Sequence, residues 1–209
     1  MSDFSELSIR DFLSTLASSA PTPGGGTAAA IAGAMGAGLT EMVAALTLSR
    51  EKFAPVHDAM RSIASAAQTA REEFLALARE DSEAYDAVVA ARRLARETEE
   101  ERQVRARAIE SANRLATEVP MRTARAAALL LAALPELVEK GNPNAFSDAG
   151  AAALMLSAAA EGALLNVGIN LPGISDAAFV EHMRREAAAI QAETRKLRSN
   201  ILAEVTKRF

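Results

Sequence analysis

The stretch Pro21-Thr22-Pro23-Gly24-Gly25-Gly26-Thr27-Ala28-Ala29-Ala30 decides the fold. Two prolines end whatever precedes them, because proline fixes φ and biases its predecessor away from the α region. Three glycines then let the backbone turn sharply and lie close to another group. Thr27 suits an N-cap, and the alanine-rich run behind it predicts a helix over 27–50. A glycine turn before a helix offers free N–H groups to an anion or to the polar edge of a ligand. The same stretch also fits a plain tight corner between two closely packed helices.

Working outward, the helix after the glycines is small and apolar on every side. Ala29, Gly33 and Ala37 form one stripe, and Ala30, Ala34 and Gly38 another. Such a helix belongs at the centre of a bundle. Before the turn, Ser8 caps a helix with Ile9, Phe12, Leu13 and Leu16 at helical spacing, ending near Ser19. After it, Pro55 starts a long helix to about Arg93. The charged segment 92–107 reads as a solvated elbow. A fourth helix runs from Glu99 to Glu118, is kinked or broken by Pro120, and resumes over 126–134.

A second punctuated loop, Gly141-Asn142-Pro143-Asn144-Ala145-Phe146-Ser147-Asp148, precedes another apolar helix over 148–168. The turn Leu171-Pro172-Gly173-Ile174 leads to Ser175, the expected cap of a last amphipathic helix. No segment alternates with period two, so the chain reads as all-α: one helical bundle over 1–209, with long and partly kinked helices.

Composition narrows the function. Half of the 209 residues are hydrophobic, only 4% are aromatic, and roughly a quarter are alanine. A net charge of −4 and few rings argue against a nucleic-acid partner. There is no cysteine, and His57 and His182 are alone and read as surface residues, which excludes thiolate chemistry and a histidine metal cluster. No metal is expected. The opening residues Met1-Ser2-Asp3-Phe4-Ser5-Glu6 carry acids and no basic leader, so no signal peptide is expected. The apolar runs 27–48 and 149–170 approach membrane-spanning length, but each holds an acid, Glu41 or Glu161. They read as buried helices rather than membrane spans.

Polar residues inside apolar helices are the informative anomalies. Asp81 shares a face with Ala84, Tyr85 and Val88, where a carboxylate is costly unless paired or functional. Asn166 and Asn170 lie four apart on one helix face, positioned to point into one cleft. Asn142, Asn144 and Asp148 share the second loop; for each of these asparagines, Asn166 and Asn170 included, capping accounts at least equally well.

Together these segments resemble the cyclodeaminase/cyclohydrolase family of folate enzymes. That family holds the cyclodeaminase domain of formiminotransferase-cyclodeaminase and stand-alone bacterial methenyltetrahydrofolate cyclohydrolases. The resemblance runs through Ala20 to Ala30, Met42-Val43-Ala44-Ala45-Leu46-Thr47-Leu48, Lys52-Phe53, Asp81-Ser82-Glu83-Ala84-Tyr85 and Glu118-Val119-Pro120. It continues through Gly141-Asn142-Pro143-Asn144, Ser147-Asp148, Leu165-Asn166-Val167 and Ile169-Asn170. It implies an all-helical homodimer in the cytoplasm, acting on a tetrahydrofolate derivative without a metal or separate cofactor. Asp81 matches the acid/base. Pro23, Gly24, Gly25, Gly26, Lys52, Tyr85, Asn142, Asn144, Asp148, Asn166 and Asn170 match the folate cleft. Leu94-Ala95-Arg96 departs from the family's Leu-Pro-Lys, keeping the charge and losing the proline. Lys52 or Arg96 is then expected to bind the glutamate tail. The implied activity is methenyltetrahydrofolate cyclohydrolase; the alternatives are formiminotetrahydrofolate cyclodeaminase and a non-catalytic folate-binding protein.

Overall fold

The structure is a computed structural model that describes residues 6–208. The opening stretch read as no signal peptide lies outside these residues, apart from Glu6. Among the described residues seven α-helices follow one another: α1 (Ile9–Leu16), α2 (Gly25–Leu48), α3 (His57–Arg92), α4 (Glu99–Leu131), α5 (Leu134–Lys140), α6 (Phe146–Asn170) and α7 (Ala177–Thr206). Short 3-10 turns at Glu51–Val56, Pro143–Ala145 and Leu171–Gly173 join them. No strand occurs among the described residues, as the absence of period-two alternation predicts.

Several boundaries differ from the sequence reading. Helix α3 begins at His57, two residues after the expected Pro55 start, because Pro55 belongs to the preceding 3-10 turn. Helix α2 begins at Gly25 with Gly24 as its N-cap, two residues before the expected Thr27 start. The last helix is capped by Asp176, whose carboxylate accepts from the N–H groups of Ala178 and Phe179, and not by Ser175. Pro120 does not break its helix; α4 runs through it to Leu131. The charged elbow is an exposed turn closed by a capping box, in which Thr98 and Glu101 satisfy each other's N–H groups.

Helix α2 packs between α3 and α6, and two glycines set the approach. A Cβ on Gly33 would lie 2.7 Å from the Phe74 ring of α3, and one on Gly36 would lie 2.8 Å from Leu156 of α6. Only a bare backbone lets these large side chains in. The resulting core is filled by Met60, Phe74, Leu77, Leu131, Leu134, Leu137 and Leu156, all fully buried. Apolar burial of this kind stabilises by about 25 cal/mol per Å².

The central helices are not covered on all sides. Met35, Met42 and Leu46 of α2 and Leu154, Leu165 and Ile169 of α6 are exposed. By length and hydropathy both segments are able to cross a membrane, but half of each window is buried inside the bundle. Their acids are paired across helices, Glu41 with Arg71 at 3.2 Å and Glu161 with Arg198 at 3.2 Å. That is the arrangement of bundle-core helices.

Candidate active site

The start of α2 opens onto a cleft of about 430 Å³ between α2, α3, α4 and α6. Its lining includes Gly24, Gly25, Gly26, Asp81, Tyr85, Asn113, Asn166 and Asn170. A more open depression of about 750 Å³ lies between α3 and α4, lined largely by alanine and leucine. The smaller cleft is the chemical candidate, because polar groups converge there on an otherwise apolar interior.

Asp81 is the carboxylate of the cleft. It sits about two-thirds of the way along α3, whose buried face delivers it to the first turn of α2. The Thr27 hydroxyl donates to Asp81 Oδ2 at 2.9 Å, and Thr27 Oγ1 lies 3.2 Å from Ser82 Oγ. Thr27 is thus a ligand of the acid rather than a helix cap. No ion pair to Asp81 forms among the described residues, so its charge is balanced by hydrogen bonds at a helix N-terminus. Burial pushes the Asp81 carboxyl above its usual range, and the Thr27 hydroxyl and N–H pull it part of the way back.

Gly26 explains the glycine run. A Cβ at this position would collide with the Asp81 carboxylate. At Gly25 a Cβ would make an ordinary contact, 3.5 Å from Asn166 Nδ2. The close approach that a glycine run suggests is therefore required at one residue, and the group approached is the acid.

Three asparagines form the opposite wall, each with its amide nitrogen engaged by a backbone carbonyl. Asn166 donates to Gly162 O at 2.9 Å, Asn170 to Ala116 O at 2.6 Å, and Asn113 to Gly173 O at 2.7 Å. The amide oxygens are left as hydrogen-bond acceptors. The Asn170 bond has a specific cause. Pro120 has no N–H to give to the carbonyl four residues back, which is Ala116. Asn170 supplies that missing donor, which is how α4 passes through a proline unbroken.

The structure separates the sequence-predicted site residues into groups. Gly24, Gly25, Gly26, Asp81, Tyr85, Asn166 and Asn170 line the cleft, and Pro23 is buried behind it. Lys52, Asn142, Asn144 and Asp148 lie at the other end of α2. Asn142 donates its backbone N–H to Thr47 Oγ1 at 2.9 Å, and Thr47 is about 33 Å along the helix from Gly25. Arg96 lies on the exposed turn after α3, outside the cleft lining. His57 is half-buried at the start of α3 and His182 is exposed; neither lines the cleft.

Sequence reading missed Asn113, Arg92 and Thr22, all of which line the cleft. Asn113 stands in an amphipathic helix full of polar residues, where one more gives no signal. Arg92 had one available signal, since it falls seven residues after Tyr85 on the face that carries Asp81 and Val88.

A family model described as formiminotransferase-cyclodeaminase matches residues 8–189. The chain belongs to the formiminotransferase-cyclodeaminase family. Within that family it is 40% identical to a methenyltetrahydrofolate cyclohydrolase from Methylorubrum extorquens, over 94% of this chain and 95% of that protein. It is 32% identical to the formimidoyltransferase-cyclodeaminase of Rattus norvegicus, over 97% of this chain but only 38% of that longer protein. Its fold matches the crystal structure of a formiminotetrahydrofolate cyclodeaminase from Thermotoga maritima with a TM-score of 0.87 and 32% identity, over 97% of this chain and 98% of that one. The resemblance drawn from the ordered motifs is borne out, as is the all-helical fold.

Proposed function

We propose that this family member is a methenyltetrahydrofolate cyclohydrolase, converting 5,10-methenyltetrahydrofolate and water to 10-formyltetrahydrofolate. The observation that carries the choice is the 40% identity to a cyclohydrolase over nearly the full length of both chains. Chain length does not carry it, because the Thermotoga maritima cyclodeaminase chain is covered just as fully. The cleft supports the chemistry. The substrate carbon between N5 and N10 is an electrophilic amidinium, so the enzyme needs a placed water, a base and a stable seat for the ring.

Asp81 is the base. Its carboxylate takes a proton from the water as the C–O bond forms, and balances the substrate's positive charge. A pKa raised by burial brings the group closer to working pH. As the C–N5 bond breaks, the same proton passes to N5, and the second proton of the water leaves to solvent. The amide oxygens of Asn113, Asn166 and Asn170 receive the N–H groups of the pterin ring. Gly26 lets the Asp81 carboxylate stand against the first turn of α2, beside the ring's seat. The cationic side chain lining the cleft, Arg92, takes a carboxylate of the glutamate tail. The reaction calls on no bound metal or cofactor.

This reading carries with it a homodimer in the cytoplasm; the uncovered apolar face of α2 and α6 supports the first of these. The test follows loss of the methenyl chromophore by absorbance. Turnover well above the spontaneous rate is expected, and none would end the cyclohydrolase reading. The cyclodeaminase reading is favoured by the Thermotoga maritima neighbour. It is tested by ammonia release from formimino-tetrahydrofolate, in which N10 attacks the formimino carbon and ammonia departs.

A further inference from the structure

Thr27 and Ser82 carry hydroxyls beside the acid, on residues 0% and 1% exposed. They come from facing helices: Thr27 from the first turn of α2, Ser82 from α3, one residue after Asp81. A hydroxyl has one hydrogen to give and two lone pairs to receive with. Thr27 gives its hydrogen to Asp81 Oδ2 at 2.9 Å, since an ionised carboxylate only accepts. The 3.2 Å contact between Thr27 Oγ1 and Ser82 Oγ therefore runs one way, with Ser82 donating and Thr27 accepting. Ser82 Oγ makes no other hydrogen bond among the described residues.

The direction has two consequences. Donors in series polarise one another, so a Thr27 hydroxyl that accepts from Ser82 is the stronger donor to the carboxylate. The chain also divides the two carboxylate oxygens. A proton placed on Oδ2 would meet the Thr27 hydrogen, and turning that hydrogen away would aim it at the one on Ser82. Oδ1 has no hydroxyl against it among the described residues. It is the oxygen nearest the place a Gly26 Cβ would take, and Gly26 lines the cleft. Ser82 itself is not part of that lining.

We propose that Ser82 is a positioning residue that fixes the Thr27 hydrogen on Asp81 Oδ2 and thereby leaves Oδ1 as the atom that carries the catalytic proton. The second half rests on the cyclohydrolase reading above; the hydroxyl chain does not. The proton leaves the water as its oxygen bonds to the bridging carbon, rides on Oδ1, and passes to N5 as the C–N5 bond breaks. Thr27 and Ser82 keep their hydrogens throughout. Other charges at the site are few. The lining given by α2, α4 and α6 holds no titratable group, and α3 adds Tyr85, one turn on, and Arg92, about 16 Å further along the helix. The neighbouring acids Glu80 and Glu83 are paired with Arg122 and Arg79.

The carbon-13 signal of the Asp81 carboxyl, assigned by its loss in Asp81→Asn, follows the proton directly and needs no substrate. Ser82→Ala removes support for the charged form, so Asp81 should bind its proton about threefold more tightly. In a Thr27→Val background the same change should add nothing. Unchanged proton affinity in Ser82→Ala, or an equal shift in both backgrounds, overturns the chain. Denaturant melts give a second reading. Thr27→Val strands the Ser82 hydroxyl in the interior, so the double variant should be at least as stable as Thr27→Val alone. A further loss of stability overturns the pairing of the two hydroxyls. In turnover, Ser82→Ala should lose about threefold in kcat on the rising limb of the pH profile, with KM kept and the loss fading at higher pH. A loss equal at every pH marks a packing defect and overturns the positioning role. If wild-type protein does not hydrolyse methenyl-folate, the functional reading and the part of Oδ1 fail, while the titration still decides the Ser82–Thr27–Asp81 chain.

Discussion

The chain makes two turns of one kind, Pro21–Gly26 before α2 and Gly141–Ala145 before α6, each built from proline, glycine and small polar residues ahead of an apolar helix. Their hydrogen bonds separate them. At the second turn Asn142 uses every group it has: its N–H goes to Thr47, its Nδ2 to Leu46 O at 3.4 Å, and its Oδ1 accepts from Asn144 N. It is 2% exposed. At the first turn the glycine N–H groups and the nearby asparagine oxygens stay open to the cleft, and Thr27 is spent on Asp81. A polar residue whose bonds close within the fold is scaffold. One whose bonds stay open faces a ligand.

That contrast is breakable by mutation. Asp81→Asn should lower kcat about 1000-fold in the chromophore assay, the scale of losing a general base. It should also melt higher at neutral pH. Folding raises the Asp81 pKa, so the folded state binds the proton more tightly, and wild-type stability falls as pH rises from the ordinary aspartate value through the raised one. The asparagine has no such loss, and the gap in melting temperature should close in acid. A variant that melts lower would break the assignment of Asp81 as a strained, open-site group.

Gly26→Ala forces the carboxylate aside and should cost about 100-fold in kcat, with helical content by circular dichroism unchanged. Gly25→Ala is the control and should stay near wild type, since a Cβ fits there. On the scaffold side, Asn142→Ala should destabilise by about 2 kcal/mol in denaturant melts, because it leaves the Asn144 N–H without its partner and removes one of two donors to the Leu46 carbonyl, the other being the Ser49 hydroxyl. Its kcat per folded molecule should hold. A full-stability Asn142→Ala that lost activity would erase the distinction between the turns. The smallest effect is expected from Thr27→Val. Losing that donor lifts the Asp81 pKa further, so the alkaline-rising limb of the kcat profile should move to higher pH, with a few-fold loss at neutral pH.

The helices and the acid were legible because they are patterns along the chain: periodic apolar positions, prolines and glycines as punctuation, and a carboxylate on a buried stripe. What the sequence left hidden was set by neighbours distant in the chain. Gly24 caps α2 without a side chain, so Thr27 carries the stronger local signal and reads as the cap. Pro120 reads as a break because a helix cannot itself replace the lost N–H; the replacement arrives from Asn170, fifty residues later. The two loops read as one site through the family resemblance, since residues of both match the folate cleft. Only the antiparallel packing of α2 and α6 puts them at opposite ends.

The bond between Asn170 and Ala116 has a consequence for inheritance. A residue other than proline at position 120 would return an N–H to the Ala116 carbonyl, and the helix would compete with Asn170 for it. The helix would gain a bond while the cleft lost the group that fixes its wall. Positions 120 and 170 are therefore free to drift only as a pair, and a change that strengthens the scaffold at one would be felt as poorer recognition at the other.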